Sequence, residues 1–237
     1  MDGIINLCKP RGISSFRALS VVKRRLKLKK VGHLGTLDPA ACGVLVLLCG
    51  RATKLTNQLH ASTKVYRTLI LWGQETNTLD CEGEVVATSE IIPTAEQIKT
   101  VLPTLTGEVQ IEVPKFSAVH IQGKRAYELA RQGIDFVPPQ KNVMVTRFEL
   151  LDNAQCLQDL SLIGEDFVLP PHASYFEIEC QTGTYIRSLA KLLATRLETV
   201  ATAAVILRTQ VGNFKIEDAR TLDCVASADL KPMEVYL

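Results

Sequence analysis

The chain has 237 residues, 46% of them hydrophobic and 22% charged, a globular composition that excludes an intrinsically disordered protein. It contains no apolar run near the ~20 residues that a membrane-spanning helix needs, so no membrane association is expected. The formal net charge is only +2, which does not by itself indicate a nucleic-acid partner.

The cysteines indicate the compartment. They are an odd, scattered set of seven without a Cys-x-x-Cys pair, so the sequence predicts neither a zinc site nor a disulfide framework. The first residues lack the charged and apolar regions of a signal peptide. Reduced thiols in a cytoplasmic protein are therefore expected.

In the first part of the chain, apolar spacing and capping residues define the elements. The expected elements are a strand over 3–8, a turn over 9–12, a helix capped by Ser14 or Ser15 with Phe16, Leu19, Val22 and Leu26 on one face, a shaped loop over 31–43, a buried strand over 44–49, a helix over 52–60, a strand over 65–72, and a strand over 84–87 paired with it.

The second part mixes strands and helices in the same irregular way. The expected elements are a helix capped by Thr94 and Gln97, an extended segment over 110–114, a helix over 126–130 closed by Gly133, strands over 142–151 and 175–180, a helix over 189–197, and extended segments over 205–207 and 212–214. This order predicts an α+β fold with a mixed, largely antiparallel central sheet flanked by helices.

Residues 23–30 hold six cations among eight positions. Such a cluster is able to neutralise phosphates of a nucleic acid. The alternative, a solvated helix face, is equally compatible with the charge pattern alone.

Residues 31–43 hold Asp38 among three glycines, which let a backbone fold tightly around a ligand. Because Pro39 follows it, Asp38 is expected in extended geometry. Considered alone, an Asp-Pro pair in a loop is more often a turn or a cap than a catalytic group.

Two further segments combine aromatic and cationic side chains. Lys64-Val65-Tyr66-Arg67 sets a tyrosine beside cations, a combination that holds unstacked bases. Gly183-Thr184-Tyr185-Ile186-Arg187 repeats it before a helix, where Arg187 is able to pair with a carboxylate. The alternatives are a sheet tyrosine with solvated neighbours and a surface ion pair of little energetic consequence.

These segments belong to a longer ordered series. The series comprises 3–15 (GIINLCKPRGISS), 32–45 (GHLGTLDPAACGVL), 50–54, 64–67, 71–83, 114–133, 183–189 and 207–209. In this order they resemble the TruB family of tRNA pseudouridine synthases over nearly the whole chain. Asn77 and Lys115 depart from the residues that are common in the family at those positions.

The resemblance implies the pseudouridine synthase fold with an RNA-gripping insertion, and an isomerase that converts uridine 55 in the T-loop of tRNA to pseudouridine. The glycosidic bond moves from N1 to C5 of the same base, so neither a cofactor nor a metal is expected. The implied partner is the T stem-loop of tRNA, and a monomer without an obligatory protein partner is expected.

The resemblance also implies roles for single residues. Asp38 is the expected catalytic carboxylate, Arg187 its ion-pair partner, and Tyr66 the residue that stacks on the target base. Other expected roles are those of Tyr185 in supporting the Asp38–Arg187 geometry, Leu207 in walling the pocket, His33 in stacking into the T-loop once the base has flipped out, and Lys9, Lys54 and Arg131 in contacting RNA.

The implied division is a catalytic domain over 1–220, with the insertion at 112–140, and a tail over 221–237 where the family's C-terminal RNA-binding PUA domain is absent or vestigial. Two other functions remain open from the sequence. One is a non-catalytic RNA-binding or RNA-folding module, which would not need Asp38 near an anionic ligand. The other is a metal-dependent nucleic-acid hydrolase using His33 and Asp38.

Overall fold

The computed structural model describes residues 1–121, 123–162 and 169–232. Gln122 in the expected insertion and residues 233–237 of the expected tail lie outside the described residues. The strands are β1 Gly3–Lys9, β2 Val31–Leu34, β3 Cys42–Cys49, β4 Lys64–Trp72, β5 Gln74–Thr76, β6 Val85–Thr88, β7 Gly107–Glu112, β8 His120–Ile121, β9 Lys124–Arg125, β10 Gln140–Leu151, β11 Ala173–Cys180, β12 Ala201–Val211, β13 Phe214–Lys215 and β14 Arg220–Thr221.

Helices cover parts of the sheet. They are α1 Ser15–Arg25, α2 Thr56–His60, α3 Ala95–Val101, α4 Ala126–Arg131, α5 Asn153–Leu162 and α6 Ile186–Arg196, with 3₁₀ turns at Gly50–Leu55, Leu102–Leu105, Ile216–Asp218 and Ser227–Asp229. Within the described part of the chain, no helix is long and apolar enough to cross a membrane.

Ten strands form one sheet in the order β14-β1-β3-β12-β4-β11-β10-β7, with β13 beside β12 and β2 beside β3. The pairs β1–β14 and β3–β12 are parallel, and the other neighbours in the sheet are antiparallel. The expected α+β fold with a mixed, largely antiparallel sheet is therefore confirmed.

The strand β3 explains why its sequence is apolar throughout. Leu45, Leu47 and Cys49 face the main core, while Val44, Val46 and Leu48 face a second apolar cluster on the other side of the sheet. Side chains alternate between the faces of a strand, so a strand that is buried on both faces needs a continuous apolar run.

The helix α1 begins as the sequence predicts. Ser14 caps it by accepting a hydrogen bond from the Arg17 backbone N–H, and Ala18, Leu19 and Val22 pack into the main core. The expectation that Phe16 shares this buried face is wrong, because Phe16 is 73% exposed.

Two further expectations, a loop and a strand pairing, are also wrong. Residues 31–34 are not part of a loop, because they pair antiparallel with β3 as β2. The strand β6 pairs with β5 and not with β4, and β5 follows β4 after a turn at Gly73 (φ +84°). The helix α5 was not expected from the sequence.

The expected insertion leaves and rejoins the sheet at one point. The Val113 N–H donates to the Pro139 carbonyl at 2.9 Å, directly beyond the paired ends of β7 and β10. Between these residues lie the β8–β9 hairpin and α4. The described part of the expected tail also contacts the sheet, through β14 and through the bridge between Ile4 and Lys231.

A charged network fixes α5 to the back of the sheet. Asp159 is 3% exposed and accepts hydrogen bonds from Arg67 Nη1 at 2.8 and 3.0 Å and from the Tyr175 hydroxyl at 2.9 Å. Arg67 Nε also donates to Glu177 at 2.9 Å. The network satisfies polar groups that would otherwise be costly to bury.

We expect Asp159→Ala to lower the free energy of unfolding by roughly 2–4 kcal/mol, because Arg67 and the Tyr175 hydroxyl lose a buried acceptor. Urea titration measures the change. The control is Glu149→Ala, whose carboxylate is 58% exposed and 4.0 Å from Arg147, with an expected change below ~0.5 kcal/mol. Equal effects of the two substitutions would contradict this account of the network.

Candidate active site

A cavity of about 250 Å³ opens at one end of β4 and β12. It lies just below the ~300–1,000 Å³ of pockets for drug-sized ligands, so a group the size of a single base is a suitable occupant. Its lining residues are Gly35, Thr36, Leu37, Asp38 and Ala41, Lys64 and Tyr66, Ser117 and Ala118, Thr182 to Arg187, and Ile206 and Arg208.

The ion pair expected between Asp38 and Arg187 is present. Arg187 Nη2 lies 2.7 Å from Asp38 Oδ2, and Arg187 Nε lies 3.7 Å from Asp80 Oδ2. Arg187 also donates to the carbonyls of Thr78 (2.7 Å) and Phe116 (3.1 Å). Its side chain is 4% exposed and that of Asp38 is 41% exposed. The arrangement therefore buries the cation and presents the carboxylate to the cavity.

The position of Arg187 needs these partners. It lies in the first turn of α6, where the helix dipole disfavours a cation. Burial of a guanidinium is also costly unless acceptors surround it. The two carboxylates and two carbonyls offset the unfavourable helix dipole and the free-energy cost of burial, and they fix the direction of the guanidinium.

The loop that carries Asp38 is held by the segment after β1. Ser15 Oγ accepts from the Leu37 N–H at 2.8 Å and donates to the Leu37 carbonyl at 2.9 Å. Arg11 Nε donates to the Ala40 carbonyl at 3.1 Å, and the Gly12 N–H donates to the Pro39 carbonyl at 2.9 Å. The backbone on both sides of Asp38 is therefore fixed.

Lys9 belongs to this brace and not to an RNA surface. It is fully buried, and its Nζ donates to the carbonyls of Pro10 (2.8 Å), Ile13 (2.7 Å) and Pro39 (3.4 Å). The expectation that Lys9 contacts a phosphate is wrong, because a fully buried ammonium cannot reach one. Burial lowers the pKa of Lys9 from 10.5 to about 8, and the nearby Asp38 carboxylate acts in the opposite direction.

Both tyrosines expected in the site line the cavity. Tyr66 is 7% exposed, and burial raises the pKa of its hydroxyl while the positive charge of Arg208 opposes the rise. Tyr185 is half-buried, and burial and the negative charge of Asp38 raise its pKa. Both phenols therefore stay protonated near neutral pH and are able to donate hydrogen bonds.

Leu207 does not line the cavity. It is 2% exposed, and its neighbours Ile206 and Arg208 are the lining residues from β12. Because side chains alternate along a strand, Leu207 points to the opposite face of the sheet. The expected wall residue is thus corrected from Leu207 to Ile206.

The remaining expected RNA-contact residues lie outside the cavity lining. His33 is half-buried in β2, its Nδ1 is buried without a hydrogen-bond partner, and burial and the charge of Arg208 lower its pKa. Lys54 is exposed, in a shallow groove with Lys27, Lys29, Lys30 and Arg51. Arg131 is exposed on α4, with its guanidinium 5.6 Å from the centre of the Tyr127 ring.

Two cations of the cavity lining, Lys64 and Arg208, were not among the expected site residues. Both stood in motifs of the ordered series. Lys64 is the first residue of the motif 64–67, and Arg208 follows Leu207 in the motif 207–209. Lys64 is 4% exposed and Arg208 is 1% exposed. Over the described ranges of the chain, no group of three or more His, Cys, Asp or Glu side chains is placed to hold a metal ion.

Residues 23–186 match the model of the TruB family pseudouridylate synthase (N terminal domain). The chain belongs to the TruB family. The family that the ordered motifs predicted is therefore confirmed.

Its relatives in the family include two bacterial proteins named tRNA pseudouridine synthase B. The protein of Caulobacter vibrioides is 38% identical over 225 residues, which cover 94% of this chain and 67% of the relative. The protein of Caldanaerobacter subterraneus subsp. tengcongensis is 36% identical over 241 residues, which cover 100% of this chain and 79% of the relative.

A chain of a crystallised Cbf5–Nop10–Gar1 complex has a similar fold, with a TM-score of 0.66 and 27% identity. The match covers 93% of this TruB-family chain and 52% of the solved one, so the present chain spans about half of that length.

The buried position of Lys9 predicts how the free energy of unfolding changes with pH. Between pH 8 and 10.5 the unfolded chain holds the proton of Lys9 while the folded chain loses it, so the contribution of Lys9 to stability rises with pH. We expect the free energy of unfolding of the natural protein, minus that of Lys9→Met, to rise by about 1 kcal/mol per pH unit in this window. Urea titrations across this pH range measure the difference.

The control for this experiment is Lys99→Met on the exposed face of α3, for which the difference is expected to stay flat. A flat difference for Lys9→Met as well would contradict the lowered pKa of the buried Lys9 in the folded chain.

Proposed function

We propose that this chain is a tRNA pseudouridine synthase that isomerises uridine 55 in the T-loop of tRNA, with Asp38 as the catalytic carboxylate. The observation that carries the proposal is the Asp38 carboxylate, held at 2.7 Å by the buried Arg187 at the wall of a base-sized cavity. The names of its relatives and the match to the TruB family model support the substrate class.

The reaction is suited to this set of side chains. It breaks the bond between N1 and C1′ and joins C1′ to C5, so it needs a nucleophile or base and no redox partner. A carboxylate paired with an arginine is able to attack C1′, attack the base or remove a ribose proton. Tyr66 would stack on the flipped base, and Tyr185 would support the ion pair.

Binding of tRNA would use surfaces around the cavity. The groove of Lys27, Lys29, Lys30, Arg51 and Lys54 presents exposed cations that suit a phosphate backbone. This arrangement favours the phosphate interpretation of the basic run over a merely solvated helix face.

Other elements would contact the T-loop and the flipped base. The insertion at 112–140 would grip the RNA through Arg131 and its neighbours. His33 would stack in the T-loop in place of the flipped base, since such stacking offsets the cost of flipping of a few kcal/mol.

The proposal extends to organisation and location. Residues 1–220 would form the catalytic domain, followed by the tail over 221–237. The protein would act as a cytoplasmic monomer without an obligatory protein partner. No disulfide joins any of the seven cysteines, all of which lie in the described part of the chain, and this suits a reducing compartment.

We expect Asp38→Asn to abolish release of tritium from tRNA labelled at C5 of uridine, while tRNA binding stays within a few-fold of the natural protein. The loss should reach or exceed the ~10²–10⁴-fold that a positioned acid or base contributes. The control is Asp223→Asn, an exposed carboxylate far along the chain, with full activity expected. Substantial turnover by Asp38→Asn would overturn the assignment, and loss of activity in excess EDTA would favour a metal-dependent hydrolase.

We expect the triple replacement of Lys29, Lys30 and Lys54 by alanine to reduce the salt dependence of tRNA binding. Each lost phosphate contact lowers the slope of log K against log salt by ~0.7–0.9, so a decrease of about 2 is expected. The control replaces Lys99, Arg196 and Lys215, which are exposed elsewhere, and should leave the slope unchanged. An unchanged slope for the first variant would contradict phosphate contacts by these lysines and indicate that the groove is only a solvated surface.

A further inference from the structure

Two buried cations meet on the wall of the cavity at Gly35. A Cβ atom built on Gly35 would lie 3.4 Å from Lys64 Cε and 3.5 Å from Arg208 Nη1. Gly35 has a φ of +70°, and both side chains line the cavity. A residue without a side chain at this position therefore lets the two cations approach one another and the cavity.

Backbone carbonyls fix the direction of each cation. Arg208 Nε donates to the Val44 carbonyl at 2.7 Å, and Arg208 Nη2 donates to the Gly35 carbonyl at 3.0 Å. Lys64 Nζ donates to the Ser62 carbonyl at 3.0 Å. The guanidinium also lies 6.0 Å from the centre of the Tyr66 ring, the side chain proposed to stack on the base.

The two cations give the cavity a positive wall. The lining contains Lys64, Arg187 and Arg208 against the carboxylate of Asp38, and Arg187 is in addition close to Asp80. Burial and the charge of Arg208 lower the pKa of Lys64 to about 8. A negative charge that arrives in the cavity would relieve this repulsion and favour the charged ammonium.

The proposed reaction generates such a charge, so this inference rests on the proposed function. When the N1–C1′ bond breaks, its electron pair stays on the uracil. Either C1′ then bonds to an Asp38 oxygen, or C2′ gives its proton to Asp38 and the C2′–H electron pair forms a C1′=C2′ double bond. The product is a uracil monoanion with charge spread over its carbonyl oxygens. If Asp38 instead adds to C6 of the base, the C5=C6 electron pair moves onto the C4 carbonyl oxygen, and the Asp38 oxygen leaves C6 again once C5 has bonded to C1′ and lost its proton.

The later steps return this charge. C5 of the uracil bonds to C1′ as the Asp38 oxygen leaves, or as C2′ regains its proton. The proton on C5 then departs and N1 gains one, which gives pseudouridine with no net change in atoms or electrons. In every route the uracil ring is most negative while its N1 bond is being exchanged.

We propose that Lys64 and Arg208 contact the carbonyl edge of the uracil and stabilise the negative charge that develops on the ring during the exchange. Preorganised donors of this kind act where charge develops, and they need no reorganisation at the moment of reaction. Arg187 cannot take this part, because Asp38, Asp80 and two carbonyls already engage it. The pair is thus a second functional element of the same cavity.

The experiment compares uridine with 5-fluorouridine at the target position of a T stem-loop RNA. Fluorine withdraws electron density and makes the uracil anion more stable, so less stabilisation by the protein is needed. Cleavage of the N1–C1′ bond is followed in single turnover by nuclease digestion and chromatography. We expect Lys64→Met to slow N1–C1′ cleavage of the uridine substrate by roughly 10²–10³-fold. The fold-decrease in the cleavage rate should be roughly tenfold smaller on the 5-fluorouridine substrate.

The dissociation constant of the RNA should change less than about threefold in Lys64→Met, since the group acts in the transition state and not in binding. Lys64→Arg should recover part of the rate, and Lys99→Met serves as the unaffected control. If thermal melting shows that Lys64→Met does not fold, Arg208→Lys is compared on the same two substrates, with the same smaller deficit on 5-fluorouridine expected.

Equal deficits on the two substrates would overturn the inference, because they would indicate a structural role. A loss confined to the dissociation constant would also overturn it, because it would indicate a phosphate contact. Turnover by the natural protein with none by Asp38→Asn supports the proposed function whichever result Lys64 gives. Absence of turnover by the natural protein overturns both.

Discussion

The ion pair between Asp38 and Arg187 is the contact on which the arrangement of the cavity depends. Arg187 is almost fully buried, so each of its donors must find an acceptor in the protein. Those acceptors come from the Asp38 loop, from Thr78 and Asp80, and from Phe116 between β7 and β8. One guanidinium therefore joins α6 to three segments that are far apart in the sequence. If it moved, the carboxylate and two walls of the cavity would move with it.

The central sheet separates the chemistry of the site from the support of the fold. On the strand β4, Tyr66 faces the cavity, while Arg67 faces the opposite side and joins Asp159 and Glu177. Alternation along the strand thus gives one face to a ligand and the other to a charged network that fixes α5. Packing behind the sheet keeps the strands that carry the cavity residues rigid. Functional side chains on rigid strands hold their positions more accurately than side chains on loops.

Charge is distributed unevenly between the walls of the cavity. The charges of Asp38 and Arg187 neutralise each other on one wall. Lys64 and Arg208, by contrast, make the wall beside Tyr66 positive. Outside the cavity, exposed lysines form a separate basic groove. A small overall net charge therefore conceals two local concentrations of positive charge, one suited to a base that becomes anionic and one suited to a phosphate backbone.

The sequence by itself determined most of the local elements, the family, the fold class and the association of Asp38, Tyr66 and Arg187 with one site, but not β2, α5 or the partner of β6. Capping residues such as Ser14, the apolar run of β3 and the ordered motifs are readable along the chain, because their causes are local or family-wide. Only the tertiary structure decided that Lys9 is a buried brace, that Ile206 takes the place of Leu207 in the wall, and that Arg208 meets Lys64 at Gly35. These outcomes depend on hydrogen bonds and side-chain directions between segments that are distant in sequence, as from Lys9 to Pro39 and from Arg208 to Gly35. No pattern along the chain specifies which remote carbonyl satisfies a buried cation, because that choice is made when the sheet assembles.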